Sequence, residues 1–456
     1  MKPDALPMPP ASVTRRGFLR SSAVAAGTLA ALDPGRFAHG AGADDTLKVA
    51  LVGCGGRGSG AANQALTTGG STRLVAMADA FKDRLDGSHE NLKKQHPEKV
   101  DVKDDMKFLG FEGYKQAIAA ADVVILATPP GFRPIHFEEA VRQGKHVFME
   151  KPVAVDAPGV RRVLAAAEEA KRKNLKVGVG LQRHHQQVYL QTLDKIWGGA
   201  LGDVVAMRVY WNDAGVWVHP REKVAQMLGR QPTEMEFQMK NWYYFTWLCG
   251  DHICEQHIHN LDVGNWIKQG KPIDPAGSAD LVHPVKAWGM GGRQVRTAKE
   301  YGEIYDHHAV QFEYADGSRM ISECRHIRNA WSSVSEHVHG TKGYSNVGSG
   351  IITGENAWRY RADKPRDAYQ QEHDDLFAAI RGNRPFNEAF NGAISSMISV
   401  MGRMATYSGV EVEWDKAINS EIDLMPERFA WDAKPRSLPG PDGFYPIPMP
   451  GQFQAV

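Results

Sequence analysis

The sequence predicts an α/β protein whose first half is a doubly wound parallel sheet. Two features of residues 47–184 carry this. Short apolar runs alternate with helical patterns, as strands joined by crossover helices do. The first run, Leu47–Val52, opens into the glycine-rich turn of "LKVALVGCGGRGSG". In order, "GSGAANQAL" reads as a helix and "TRLVAMAD" as a strand ending at Asp79. "YKQAIAA" is a helix, and "ADVVILATPP" a strand with Thr128 and Pro129 at its end. "RPIHFEEAVRQGK" is a helix, and "HVFMEKPVAVD" a strand whose polar end holds Glu150, Lys151 and Pro152. The long helix "APGVRRVLAAAEEAKRKN" and the strand "KVGVGLQRH", followed by Arg183 and His184, complete the set. In such a sheet ligands gather at the carboxyl ends of the strands, where these polar residues stand.

Composition fits this reading. The chain has 456 residues, 42% hydrophobic and 23% charged, enough for two domains with a real core. A formal net charge of +1 gives no reason to expect nucleic acid or an anionic membrane as partner. Four cysteines, Cys54, Cys249, Cys254 and Cys324, lack the pairing of a disulfide framework or a zinc ribbon and read as structural.

The first 43 residues have the three regions of a twin-arginine export signal. Arg15 and Arg16 precede Phe18 and Leu19, then come the apolar run "SSAVAAGTLAAL" and small residues up to Ala43, where cleavage is expected. The apolar run is too short to span a bilayer, so a protein without an integral membrane span, periplasmic or otherwise exported, is expected.

The glycine turn points to a dinucleotide. Gly53, Gly55 and Gly58 follow a strand and open a helix, so that backbone N–H groups can meet a pyrophosphate. Asp79, ending the next strand, can accept hydrogen bonds from the ribose hydroxyls and repel a 2′-phosphate, which favours NAD over NADP.

The glycine turn, "ATPP" with His136 in the next helix, "EKPVAVD" and "HNLD" together resemble the Gfo/Idh/MocA oxidoreductases, from residue 47 to about 430. The resemblance implies an NAD-binding Rossmann domain (44–184), then a substrate-binding α/β domain (185–430) with an open, mainly antiparallel sheet, and a homo-oligomer. On their own terms, "DVVAMRVYWND", "HHAVQFEYADGSRMISECRH" and "SSVSEHVHGTKGYSNV" are strand-like with turn signals. Residues 431–456, rich in proline and glycine, read as an extended arm clasping a neighbouring subunit. The expected cofactor residues are Gly53, Cys54, Gly55, Gly56, Arg57, Gly58, Asp79, Thr128, Pro129, His136, Glu150 and Lys151.

The stretch "GDHICEQHIHNLD" concentrates three histidines among carboxylates. As one helix, it puts Cys254, Ile258 and Leu261 on an apolar stripe, and Asp251, His252, Glu255, His259 and Asp262 on a polar face, with Glu255 and His259 one turn apart. His257 falls beyond the stripe, so one ion cannot collect all three histidines, and no metal is expected. The resemblance makes His259 the catalytic histidine, places Glu255 where the family has aspartate, and sets Lys151 beside the nicotinamide. Oxidation of a secondary alcohol needs such a base, oriented by a carboxylate, and a cation on the reacting oxygen. The aromatic runs "NWYYFTW" and "YWNDAGVWVH" suit the C–H faces of a sugar. Candidate substrate residues are Arg183, His184, Trp242, Tyr243 and Asp262, with His373 a further pocket candidate.

The expected function is an exported NAD-dependent oxidoreductase acting on a sugar, cyclitol or glycoside, with a tightly bound, recycled cofactor. The alternatives are a glycoside hydrolase, lyase or epimerase that oxidises its substrate transiently, and a non-catalytic sugar-binding protein.

Overall fold

The computed structural model describes residues 45–361 and 366–456; the expected signal lies outside the described residues. Six parallel strands form the first sheet, in the order β3-β2-β1-β4-β5-β6. They are β1 (Leu47–Val52), β2 (Thr72–Asp79), β3 (Lys107–Leu109), β4 (Val123–Leu126), β5 (His146–Met149) and β6 (Val177–Val179). Between them run α1 (Gly56–Thr67), α2 (Lys82–Gln95), α3 (Gly113–Ala119), α4 (Arg133–Arg142) and α5 (Ala157–Arg172). The strand order reverses between β1 and β4, the switch point at which such sheets bind nucleotides.

After α6 (Gln187–Trp197) and β7 (Val204–Asp213), the chain makes five short helices: α7 (Arg221–Leu228), α8 (Glu234–Lys240), α9 (Thr246–Cys249), α10 (His252–Glu255) and α11 (Ile258–Lys268). The expected single helix over 250–262 is therefore two. The N–H of His257 reaches back five residues to the carbonyl of His252 (3.2 Å), and this wide turn separates α10 from α11.

The second sheet has nine strands: β8 (Lys286–Gly292), β9 (His307–Glu313), β10 (Arg319–His326), β11 (Ser333–Gly340), β12 (Gly343–Asn346), β13 (Ile351–Gly354), β14 (Trp358–Arg359) and β15 (Val412–Glu413) join β7. Its order is β14-β13-β12-β11-β7-β10-β9-β8-β15, antiparallel except where β10 runs parallel to β7.

Two late helices, α12 (Ala368–Arg381) and α13 (Ala389–Ser408), tie the sheets together. α12 packs on α1, with the His373 ring centred 4.0 Å from that of Phe148 in β5 and tilted to it. Every residue of α13 is buried, between α5 and the second sheet. Small residues permit this approach: a Cβ on Gly392 would meet Val179 at 3.1 Å, and one on Gly402 would meet Ile253 and Phe312 at 2.9 Å. After α14 (Trp414–Ile418), the C-terminal segment packs on its own chain. Tyr445 stacks edge-on against Phe245 (5.0 Å), and the Tyr305 hydroxyl donates to the carbonyl of Pro448 (2.8 Å). The arm thus clasps its own chain.

Candidate active site

A cleft of about 700 Å³ runs along the carboxyl ends of the first sheet. Gly53, Gly55, Gly56, Arg57, Gly58, Asp79, Thr128, Pro129, His136, Glu150, Lys151, Trp242, Glu255 and His259 all line it.

At one end is the glycine turn. Gly53 has φ +95°, and a Cβ there would meet Thr128 N at 2.4 Å; one on Gly58 would meet the carbonyl oxygen of Gly53 at 1.9 Å. Gly55 and Gly56 are different: a Cβ on either meets nothing within 4 Å, so both face open space. α1 begins there with no side-chain cap and no acid in its first turn, which leaves its N–H groups to an anion. The turn fits a pyrophosphate. Asp79 braces it by accepting from the N–H of Cys54 (2.7 Å) and of Phe81 (2.8 Å), and burial raises its carboxyl above the usual value. Cys54 itself is buried; its backbone, not its thiol, serves the site.

Arg133, absent from the sequence expectations, joins the ends of β4 and β5. Its guanidinium donates to the carbonyls of Thr128 (2.6 Å) and Glu150 (2.9 Å), and burial lowers it to about 10. A cation in the first turn of α4 opposes the helix dipole, and that local misfit was the available signal. His136 meets Thr128 Oγ1 (3.2 Å) and is held neutral by burial.

The other end holds the ionisable groups. Glu150 pairs with Arg57 (2.6 Å), and Arg57 lies over the ring of Tyr369 at the start of α12 (4.8 Å). Lys151 donates to the backbone carbonyl of Glu255, and its Nζ stands 3.5 Å from Glu255 Oε1. Glu255 therefore turns to Lys151; the wide turn after it removes the simple one-turn pairing with His259. Burial, then the nearby Glu150, pushes the Glu255 carboxyl up to about 7 against the pull of Lys151. His259 lies 6.0 Å from Trp211, ring to ring; burial and then Lys151 hold it well below the usual imidazole range. Around His259, the buried atoms His259 Nδ1, Glu255 Oε2 and Trp211 Nε1 have no hydrogen-bond partner.

Four expected substrate residues are placed elsewhere. Arg183 is paired with buried Glu336 (2.5 Å), and His184 with Asp262 (2.7 Å), which also accepts from Asn391 and Ser395. Tyr243 is core, 3% exposed. None of the four lines the cleft, because their polar groups or rings hold the two halves of the chain together. Of the aromatic runs, Trp211, Trp217 and Trp242 line the cleft, whereas Tyr244, Phe245 and Trp247 are core.

The three histidines of "GDHICEQHIHNLD" have separate fates. His257 bonds Ser322 (2.8 Å), His259 lines the cleft, and His252 bonds Asp251 (2.8 Å). Asp251, His252 and His308 are close enough to hold an ion. Asp251, however, already accepts from the Tyr305 N–H (2.9 Å) and the Tyr407 hydroxyl (2.6 Å) as well as His252, and the group lies off the cleft.

Residues 47–180 match the oxidoreductase family with an NAD-binding Rossmann fold. These residues form the NAD-binding domain of a Gfo/Idh/MocA-type oxidoreductase. Its cofactor is NAD. This oxidoreductase is 28% identical to an inositol 2-dehydrogenase of Ralstonia nicotianae over 61% of its own length and 67% of the relative's. To that of Rhizobium meliloti it is 23% identical, over 77% and 94%. Its fold is that of an aldose–aldose oxidoreductase from Caulobacter crescentus (TM-score 0.59, 18% identity, 81% of this chain and 99% of the other). It is also that of a scyllo-inositol dehydrogenase from Lactobacillus casei with bound NAD(H) and scyllo-inositol (TM-score 0.57, 19% identity, 81% and 99%). Among the described residues, no helix of this oxidoreductase is long and apolar enough to cross a membrane.

Proposed function

We propose that this oxidoreductase oxidises a secondary hydroxyl of a sugar, cyclitol or glycoside. The observation that carries the reading is the set of unpartnered buried atoms beside Lys151: one donor, Trp211 Nε1, and two potential acceptors, His259 Nδ1 and Glu255 Oε2. Buried polar groups are rarely left unsatisfied, and a ligand bearing several hydroxyls would satisfy these. The inositol dehydrogenases among the relatives support the same substrate class.

Bound NAD supplies a hydride acceptor. The protein does the rest. The Lys151 ammonium holds the reacting oxygen and stabilises charge building on it. His259, kept neutral by burial, takes the hydroxyl proton. Glu255, titrating at about 7, balances the charge of Lys151 and receives protons near neutrality. Trp211, whose ring lies 6.0 Å from that of His259, offers a flat face to C–H groups.

We further propose export with the nucleotide already bound. Arg15 and Arg16 support a route that carries folded proteins, and outside the cytoplasm no pool of free NAD replaces a lost one. Each turnover then has to return the cofactor to its starting state, by coupled oxidation and reduction of two sugars, or by transient oxidation during bond cleavage or epimerisation.

The test is acid release of nucleotide from protein purified without added NAD, followed by a panel of polyols and glycosides. Near-stoichiometric NAD(H), and product without accumulation of free NADH, are expected. Lys151→Ala and His259→Ala should each lower turnover on the substrate found by about 10²-fold or more while the fold survives. Empty protein that accumulates NADH would reduce the reading to a simple dehydrogenase, and near-normal rates in either variant would remove the assigned roles.

A further inference from the structure

The cleft has a second wall at its Asp79 end, built partly by residues far from the first sheet in sequence. Phe81, Arg84, Gly110 and Phe111 line it from the ends of β2 and β3; Met239 and Lys240 of α8, with Trp217, His219 and Trp242, line it from beyond β7. The two sources are tied together outside the cleft. Lys240 Nζ meets both carboxylate oxygens of Asp83 in α2, at 2.8 and 2.9 Å, and stands 4.0 Å from the centre of the Phe81 ring. Trp431 of the C-terminal arm then packs on Phe81 (5.0 Å) and Phe111 (4.6 Å). The same arm holds α8 directly: Gln238 donates to the carbonyl of Ser437 (2.7 Å), and the Tyr445 hydroxyl donates to Glu234.

Because Asp79 marks the ribose next to adenine, this end takes the adenosine half of the dinucleotide. We propose that α8 and the C-terminal arm form a strap across that half, fastened by Lys240–Asp83 and by Trp431, and that opening the strap limits the departure of the nucleotide. The inference rests on the reading above that NAD is retained through many turnovers. Opening separates a nearly buried ammonium, 2% exposed, from its carboxylate and uncovers the rings of Phe81, Phe111 and Trp431. Neither Asp83 nor Trp431 lines the cleft, so each can be changed without removing a residue that touches nucleotide.

The experiment loads wild type, Asp83→Ala, Asp83→Glu and Trp431→Ala with labelled NAD, removes the free nucleotide, and follows dissociation into excess unlabelled NAD. Thermal midpoints are recorded alongside. Asp83→Ala and Trp431→Ala should each release NAD about tenfold faster or more, and Asp83→Glu should recover part of the difference. Added salt should speed release from wild type more than from Asp83→Ala, since only the former has the ion pair to screen. Unchanged release from folded Asp83→Ala, even with a lowered midpoint, would overturn the strap; should Trp431→Ala not fold, Asp83→Ala decides alone. Wild type that purifies empty would defeat the retention reading, whereas the ratio of rates still decides the strap.

Discussion

Glu255 shows how much stability this site gives up for chemistry. Its folded carboxyl titrates at about 7, above the ordinary glutamate value. The folded chain thus binds that proton more tightly than the unfolded chain does. Stability from this group is complete below the unfolded value and is lost as pH rises through about 7. Glu255→Gln should therefore stabilise the fold at pH 8, by on the order of 2 kcal/mol and seen as a raised thermal midpoint, and change it little at acid pH. In wild type, kcat/KM for oxidation should fall as pH drops through about 7, and the Gln variant should lack that limb at a lower rate. A variant less stable than wild type at pH 8, with the acid limb intact, would refute both statements. Asp79→Ser tests the other end: NAD should bind more weakly and NADP be excluded less, measured by titration with both nucleotides, because the ribose loses a carboxylate partner. Lys151, Glu255 and His259 were legible as residue types in a pattern. That Glu255 faces Lys151 was not, because Gln256 and His257, where the helix breaks, include neither Gly nor Pro.

At the scale of elements, most of the parallel strands and their helices were readable from apolar runs and the glycine turn; α2, whose only buried apolar residues are Leu85 and Leu92, was not. β3 escaped: with three residues it has no period to detect. A close backbone approach between the first sheet and the region beyond β7 was equally silent. Gly131, in the turn after β4, sits so that a Cβ would meet the carbonyl oxygen of Trp247 in α9 at 2.0 Å. Backbone faces backbone there, and neither side has a flexible atom to yield. Gly131→Ala should lower stability by about 1–3 kcal/mol, read from denaturant midpoints. It should also loosen the cleft wall enough to raise the dissociation constant for NAD. A variant unchanged in both would show that α9 shifts freely.

On the scale of the whole molecule, the division at residue 184 is a division of sequence more than of packing. Buried side chains of α5, β7, α11 and α13 belong to one continuous apolar cluster. Leu376 and Phe377 of α12 complete a second cluster with Val49, Leu51, Ile125 and Phe148 of the first sheet. Periodicity marks α12 and α13 as helices but carries no trace of which sheet they cover, since that choice is made by contacts distant in sequence. A fragment ending before α12 should therefore fail to bind NAD and should expose apolar surface to a hydrophobic dye, whereas a soluble, nucleotide-binding fragment would contradict this packing. The same connectivity sets an order of events during synthesis. The strands of the nucleotide sheet and their crossover helices leave the ribosome early, but α12, which packs on β5 and β6, begins only at Ala368, so that face of the sheet cannot close until translation is nearly finished. Such long-range closure is slow, and for that interval the nascent chain leaves bare the apolar face that Leu376 and Phe377 later cover. Chaperone occupancy on ribosome-bound chains should accordingly persist until α13 has emerged and then fall sharply.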